Sequence, residues 1–234
     1  MLVMMRRTSP ILAAAVVLLG GNAALSAPSA PPVVVVELFT SQGCSSCPPA
    51  DAALAQVADR PDVIALSFGV TYWDNLGWKD TFARREFTQR QQDYARRMGH
   101  QPYTPEVIDG GRADSVGNSR TVIEGLIARA RGPAATSITT DMDSADVAAG
   151  VAPRGGADVW LVRYDSRTVR VPIRAGENTG KTLPIRNVVR TLTRLGTWDG
   201  AAVGFRYPVA PDGLAGVVIV QTRGGGPILA AARS

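Results

Sequence analysis

The sequence contains very little cysteine and histidine: two cysteines and one histidine in 234 residues. A structural zinc site usually takes four ligands from these residue types, so a conventional one is excluded. Exported proteins normally use cysteines as widely spaced structural cross-links. Cys44 and Cys47 are only three positions apart, and a disulfide between them closes too small a loop to restrict the unfolded chain appreciably. The pair is therefore poorly explained as a stabilising cross-link.

Long apolar runs and clusters of basic residues are also missing. Beyond residue 27 no stretch of about 18 apolar residues occurs, which excludes a membrane-spanning helix there. The net charge is +5, but the arginines are scattered among acidic residues and do not alternate with aromatic side chains. We therefore expect no nucleic-acid partner. The apolar content of 45% is ample for a globular core.

The N-terminus has the pattern of a secretory signal peptide. Two arginines precede a short apolar run at residues 11–19, and small residues follow. This pattern is too short for a membrane span and predicts a signal peptide over residues 1–26, cleaved after Ala23 or Ser26. Residues 27–32 then form a Pro/Ala/Ser linker, and the mature protein is expected to be periplasmic or secreted and free of membrane. A buried N-terminal helix is the alternative.

Strand and helix patterns alternate over residues 33–132. The apolar, β-branched run at Val33–Phe39 is typical of a central strand that helices cover on both faces. The order of elements predicts an α/β domain whose first two strands are parallel. The predicted elements are strand Val33–Phe39, helix Cys44–Ala58, strand Val63–Val70, helix Thr81–Met98, strands Glu106–Asp109 and Ala113–Val116, and helix Arg120–Arg131.

Residues 133–234 are richer in turn signals and predict an antiparallel β extension that packs on the first domain. Thr136–Gly156 is expected to be a polar connection, and turns are expected at Asp165–Ser166 and Gly176–Gly180. Asn187–Leu195 also fits a helical stripe, so a short helix is the alternative there. The predicted strands are Asp158–Tyr164, Thr168–Arg174, Asn187–Trp198, Gly216–Thr222 and Ile228–Ala232.

The motif Cys44-Ser45-Ser46-Cys47 carries the chemistry that this sequence supports. It follows a predicted strand and opens a predicted helix, so the two thiols lie close enough to form a disulfide. The free N–H groups and partial positive charge of a helix start favour the thiolate and lower the thiol pKa. We therefore expect Cys44, with its sulfur projecting toward solvent, to be the nucleophile and Cys47 to resolve the mixed disulfide.

Longer segments around this motif carry a family resemblance: Val34–Asp51, Tyr72–Asp80, Tyr103–Pro105, Gly176–Leu183 and Asn187–Val189. They resemble the secreted bacterial family called domain of unknown function 1223, within the thioredoxin-like superfamily. The resemblance implies a thioredoxin-like layered sheet with helices on both faces and a C-terminal antiparallel β extension. It also implies that the Thr104–Pro105 bond is cis and that the Thr104 backbone pairs with a bound substrate.

Other residues complete the candidate site. Tyr72, Trp73 and Trp78 are expected to line an apolar shelf for substrate beside the cysteines, and core or loop packing is the alternative. Thr104 and Pro105 are the other expected substrate-binding residues. Glu37 interrupts a buried strand, where an unpaired charge is costly, so it is a candidate for proton transfer; a salt bridge or a sheet edge explains it equally. The one histidine, His100, is expected to be a surface residue without a special role. We expect neither a metal nor a cofactor.

Together these observations predict an exported thiol–disulfide oxidoreductase. Its expected partners are a protein or small-molecule thiol or disulfide substrate and a second redox protein or thiol that recycles the pair. A non-catalytic thioredoxin-like binding module and a soft-metal carrier that holds copper between the two thiolates are the alternatives. An inert disulfide is a further interpretation of the same pair.

Overall fold

The computed structural model describes residues 33–130 and 134–234. The predicted signal peptide, and the linker at 27–32 with it, lie outside the described residues. Within the described part no helix is long and apolar enough to cross a membrane. The elements are β1 Val34–Thr40, α1 Pro48–Ala55, β2 Val63–Gly69, α2 Arg85–Met98, β3 Glu106–Asp109, β4 Ala113–Ser115, α3 Arg120–Ala130, β5 Ile138–Thr140, β6 Ser144–Val147, β7 Ala157–Pro172, β8 Thr182–Trp198, β9 Val203–Arg206, β10 Leu214–Thr222 and β11 Ile228–Arg233.

The α/β class is confirmed by a mixed sheet of eight strands in the order β11-β10-β7-β8-β2-β1-β3-β4. β1 and β2 are parallel, as the sequence predicts. β8 joins the free edge of β2 in parallel at Ser67 and Val188. Two side chains hold this junction: Ser67 Oγ donates to the carbonyl of Arg186 at 2.9 Å, and Asn187 Nδ2 donates to the carbonyl of Ala65 at 2.8 Å. The C-terminal strands therefore extend the first sheet edge to edge.

Alternate residues of β1 contribute to two separate cores. Val35 and Phe39 pack with Phe87 and Tyr94 of α2. The intervening residues Val34, Val36 and Leu38 pack instead with apolar side chains of α1 and α3. Because successive strand residues point to opposite faces, α2 covers one face at β1, and α1 and α3 cover the other.

Helices do not cover both faces of the whole sheet. Where β7 and β10 lie, one face packs on a second, three-stranded sheet of order β5-β6-β9. Val159 and Val218 contribute to this core from the large sheet, and Ala145 and Val147 from the small one. Two of these small strands lie inside Thr136–Gly156, so the expectation of a strandless connection there was wrong. They are only three and four residues long, too short for a clear alternation.

One predicted boundary in the C-terminal part, the turn at Asp165–Ser166, was also wrong. β7 is one strand of 16 residues, and its register shifts between Asp165 and Thr168. Asp165 Oδ1 accepts a hydrogen bond from the backbone N–H of Arg167 at 3.1 Å, a local bond that holds the extra residues in a bulge where a turn was expected. The segment Asn187–Leu195 belongs to strand β8, so the helical alternative is excluded.

Candidate functional site

Cys44 and Cys47 form a disulfide in the turn that joins β1 to α1, with their Cα atoms 5.4 Å apart. α1 begins at Pro48, later than predicted, because the chain first makes a turn in which the N–H of Cys47 donates to the carbonyl of Cys44 at 3.2 Å. Cys47 is the N-cap residue of α1. The pair thus lies beside the free N–H groups of a helix start, with only Cys47 at the helix itself.

Neither cysteine is accessible to solvent. Both have an exposed fraction of 0%, so the expectation that the Cys44 sulfur projects into water was wrong. Ser45 and Ser46, between them, are exposed. Cys44 Sγ lies 3.2 Å from Ser46 Oγ, and the exposed serines form the outer side of the turn.

The hairpin loop between β7 and β8 contributes to this burial. Asn178 is fully buried, and its Nδ2 donates to the carbonyls of Gln42 at 3.0 Å and Cys44 at 2.9 Å. Glu177 Oε2 accepts from the backbone N–H of Ser45 at 3.0 Å, and its hydrogen bonds with Ser45 lower the pKa of Glu177. The turn at Gly176–Gly180 is confirmed, and we call residues 176–181 the cap loop. Sequence analysis missed its role, because these contacts join residues more than 130 positions apart.

The aromatic loop, residues 72–80 after β2, contacts the turn that carries Cys44 and Cys47, which we call the cysteine turn. Trp78 Nε1 donates to Gln42 Oε1 at 2.9 Å. Asp80 Oδ2 accepts from the backbone N–H of Gln42 at 2.8 Å, and its Oδ1 accepts from the N–H of Phe82 at 2.7 Å. Burial raises the pKa of Asp80. Asp80 therefore positions the backbone two residues before Cys44.

Trp73, Thr104 and the cysteine turn are neighbours in the structure. Trp73 Nε1 donates to Thr104 Oγ1 at 2.7 Å, and a Cβ placed on Gly43 would lie 3.5 Å from Trp73 Cβ. The Thr104–Pro105 peptide bond is cis, as the family resemblance implied. Trp73 and Thr104 are half-buried, and Pro105 is buried. The substrate-binding role of these three residues stays a prediction.

Glu37 is held away from the start of α1. Its carboxylate accepts from Arg90 Nε at 2.7 Å and from the hydroxyl of Tyr94, both on α2. α1 packs on the opposite face of β1. The salt bridge that sequence analysis kept as an alternative is therefore present, and Glu37 is not directed toward the helix that carries Cys47.

Asp51 is a buried carboxyl group near the pair that sequence analysis did not single out. It follows Cys47 by four residues, and its backbone N–H donates to the carbonyl of Cys47 at 3.1 Å. Residues four apart lie on the same face of a helix. Burial raises the pKa of Asp51 to about 8, and the nearby charge of Asp80 adds to the increase. The signal that was available is this spacing from Cys47.

A second polar cluster lies at the start of β3. His100, Glu106 and Asp114 bring three possible ligand atoms within 4.8 Å of one another, and among the residues with described coordinates this is the group able to hold a metal ion. His100, which was expected to be a surface residue, is half-buried, with 26% of its side chain accessible. The two carboxylates could not be assigned to it from the sequence, since neither belongs to a recognisable ligand motif.

Comparison with known proteins gives a family and a fold. The chain matches the family described as "Protein of unknown function (DUF1223)" over residues 35–221. It is similar to the crystal structure of protein AGR_C_4864 from Agrobacterium tumefaciens, with 31% identity, a TM-score of 0.72, and coverage of 88% of this chain and 95% of that one. It also resembles HBP35 of Porphyromonas gingivalis in fold, with 11% identity, a TM-score of 0.53, and coverage of 87% and 75%. No match was found among curated proteins.

Proposed function

The chain belongs to the DUF1223 family of proteins of unknown function, and we propose that it is an exported thiol–disulfide oxidoreductase. Cys44 and Cys47 are the redox pair, and the substrate is a protein or small-molecule disulfide. The order β1-α1-β2-α2-β3-β4-α3, with the cysteine motif between β1 and α1, supports a thioredoxin-like origin for the first part of the chain.

The observation that carries this proposal is the position of the disulfide. The chain has two cysteines, and both are used in a bond between residues only three apart. Such a bond restricts the unfolded chain very little, so stabilisation is a weak reason for it. At the N-terminus of a helix, in contrast, free N–H groups stabilise a thiolate and make the bond easier to reduce.

The exchange proceeds in two displacements. In the reduced protein the Cys44 thiolate attacks one sulfur of a substrate disulfide, the substrate S–S bond breaks, and the released thiolate takes a proton. Cys47 then loses its proton and attacks Cys44 Sγ, which restores the protein disulfide and releases the second substrate thiol. Two electrons pass from the protein to the substrate. A dithiol partner reduces the protein again, and the reverse sequence oxidises a substrate dithiol.

We assign to Asp51 the role of accepting and returning the proton of Cys47. It lies one helical turn after Cys47 on the same side of α1. A carboxyl group with a pKa raised to about 8 by burial accepts and returns a proton near neutral pH, which an ordinary aspartate does poorly. Asp51 thus takes the role first considered for Glu37, whose carboxylate is bound to Arg90.

Access to the sulfurs requires the cap loop to move. Asn178 and Glu177 bind the backbone of Cys44 and Ser45, so these hydrogen bonds must break before a substrate reaches Cys44. Glu177 is exposed and its contact exchanges readily with water. Nearby on the aromatic loop, Tyr72 and Leu76 are 39% and 58% exposed and offer apolar contact to an arriving substrate.

The test is reduction of insulin disulfides by the purified protein with dithiothreitol as the reductant. We expect Cys44→Ser to abolish the protein-dependent rate and Cys47→Ser to accumulate a mixed disulfide through Cys44. Ser166→Ala, at an exposed serine in the β7 bulge, is the matched control and should behave as the wild type. Equal rates for the wild type and Cys44→Ser would contradict the proposal.

Burial of both sulfurs is the observation that favours a second function, a binding module without redox activity. In that case the disulfide is a closed structural feature, and the protein recognises its partner through another surface. A partner that is retained equally by the wild type and by the variant with both cysteines changed to serine would support it. A partner captured only as a mixed disulfide would support the oxidoreductase.

A further inference from the structure

The cluster of His100, Glu106 and Asp114 brings together residues from three elements. His100 follows Gly99, the left-handed residue that ends α2. Glu106 is the first residue of β3, and Asp114 is the central residue of β4. His100 Nε2 lies 3.6 Å from Glu106 Oε1 and 3.7 Å from Asp114 Oδ1. These distances are longer than hydrogen bonds.

Each of the three side chains is held through its other polar atom. His100 Nδ1 lies 3.0 Å from the carbonyl of Gln101, to which it donates when Nδ1 carries the proton. Glu106 Oε2 accepts from Gln91 Nε2 at 2.6 Å, and Asp114 Oδ2 accepts from the hydroxyl of Tyr103. Metal-binding histidines and carboxylates are oriented by such outer contacts. The arrangement leaves Nε2, Oε1 and Oδ1 turned toward one another.

Two of these three inner atoms, Glu106 Oε1 and His100 Nε2, are buried and have no hydrogen-bond partner among the described residues. The Glu106 side chain is 0% exposed, so bulk solvent does not reach its unpaired oxygen. An unpartnered buried carboxylate oxygen is costly. The cluster therefore lacks a group that would contact both atoms, and a cation is such a group.

We propose that His100, Glu106 and Asp114 bind a divalent first-row transition metal ion, with Zn²⁺ as the ion that fits best. Zinc bonds of about 2.0 to 2.2 Å in tetrahedral geometry place neighbouring ligand atoms about 3.3 to 3.5 Å apart. The separations of 3.6 and 3.7 Å reach that range with a movement of a few tenths of an ångström. One imidazole and two carboxylates suit Zn²⁺ better than the soft Cu(I) ion.

The bound ion would act on the loop that joins α2 to β3. Residues 100 and 106 flank this loop, which contains Thr104, the partner of Trp73 beside the cysteine turn. An ion held by both ends of the loop and by β4 fixes its position. The site is separate from the redox pair, because none of its three ligands is a cysteine.

The test uses the oxidised protein, purified without an oligohistidine tag, and Zn²⁺ as the probe. Isothermal titration calorimetry should show one ion per chain. Because the chain has one histidine, its imidazole NMR signals report directly on the site and should shift on saturation. We expect His100→Ala to abolish binding and Glu106→Gln to weaken it at least about 10-fold. Glu86→Gln, at an exposed glutamate of α2, should leave binding unchanged.

Two results would overturn the proposal. One is equal Zn²⁺ affinity in the wild type and His100→Ala, which would place the ion elsewhere. The other is an imidazole signal that does not respond to saturating Zn²⁺, which would make the cluster an ion pair only. Circular dichroism of the variants checks their folding, and the NMR shift in the wild type keeps the test decisive if His100→Ala unfolds.

Discussion

Glu37 and Glu106 are both fully buried glutamates on neighbouring strands, β1 and β3, but their surroundings differ. Glu37 has partners for both oxygens: Arg90 Nε at 2.7 Å, Arg90 Nη2 at 3.1 Å, and the hydroxyl of Tyr94. Glu106 has Gln91 on one oxygen and no hydrogen-bond partner on the other. The first is a completed ion pair inside the core, and the second is an incomplete one.

This difference in partners distinguishes a glutamate with a structural role from a glutamate that is a candidate ligand for another group. A buried carboxylate whose partners are all protein groups needs no further contact, and its loss is felt only in folding. A buried carboxylate that lacks a partner is costly to the fold and is retained for another reason. In order of expected effect, changes at Arg90 and at Glu106 test this distinction, and a change at Asn178 tests the cap loop.

Removal of one partner from the Glu37 pair should have the largest effect. Arg90→Met leaves the Glu37 carboxylate buried without its cation, and we expect a loss of about 3 to 5 kcal/mol in the free energy of unfolding. Urea denaturation measures it. The double variant Glu37→Leu with Arg90→Met removes both charges and should recover most of the loss. A cost under about 1 kcal/mol for Arg90→Met would show that water reaches Glu37.

Glu106→Gln should mainly change the pH dependence of stability. Burial raises the pKa of Glu106 in the folded state from its ordinary value of 4.5 to about 7, so between these two pH values the folded state holds a proton that the unfolded state has lost. Its contribution is complete below pH 4.5 and is lost as the pH rises to about 7, by about 1.4 kcal/mol per pH unit. When a chelator is present to remove metal ions, the stability of Glu106→Gln should not show this part of the decline with rising pH.

The control for this prediction is Glu86→Gln, at an exposed position. Burial also raises the pKa values of Asp51 and Asp109, to about 8 and about 6, so some decline will remain in every variant. The informative quantity is the difference in slope between wild type and Glu106→Gln. Parallel slopes would exclude Glu106 as a group that titrates in this window.

Asn178→Ala should have the smallest effect on stability and a clear effect on access. The side chain has two neutral hydrogen bonds to the cysteine turn, and their loss should cost about 1 to 2 kcal/mol. We expect dithiothreitol to reduce the Cys44–Cys47 disulfide faster in this variant than in the wild type. Mass spectrometry after alkylation measures the reduced fraction over time. Arg174→Ala, exposed in the same hairpin, is the control. An unchanged rate would show that the cap loop does not limit access.

Local sequence patterns predicted the elements of the first half well. The apolar run at β1, the glycine that ends α2 and the paired glycines between β3 and β4 each depend on neighbouring residues only. Burial of Cys44 could not be predicted, because it depends on Asn178, which is 134 positions away. The start of α1 was predicted too early for a local reason. The backbone N–H of Cys47 donates to the carbonyl of Cys44 and closes a turn before the helix begins at Pro48.

The cluster near the start of β3 could not be predicted from local sequence patterns either. His100, Glu106 and Asp114 have no ligand spacing that a motif would reveal, and they meet because β3 and β4 pair with Ile108 opposite Asp114. The strands and their turn were predicted, but the depth of Glu106 in the core was not. That depth depends on packing by α2, whose Gln91 donates to Glu106.

The junction between β2 and β8 has a consequence for how the protein can be divided. β2 is buried along its whole length, and its outer edge is covered by a strand from the C-terminal half. A fragment that ended near residue 130 would leave this edge unpaired and apolar, which is the usual starting point for aggregation between chains. Such an N-terminal fragment is therefore not suited to independent expression.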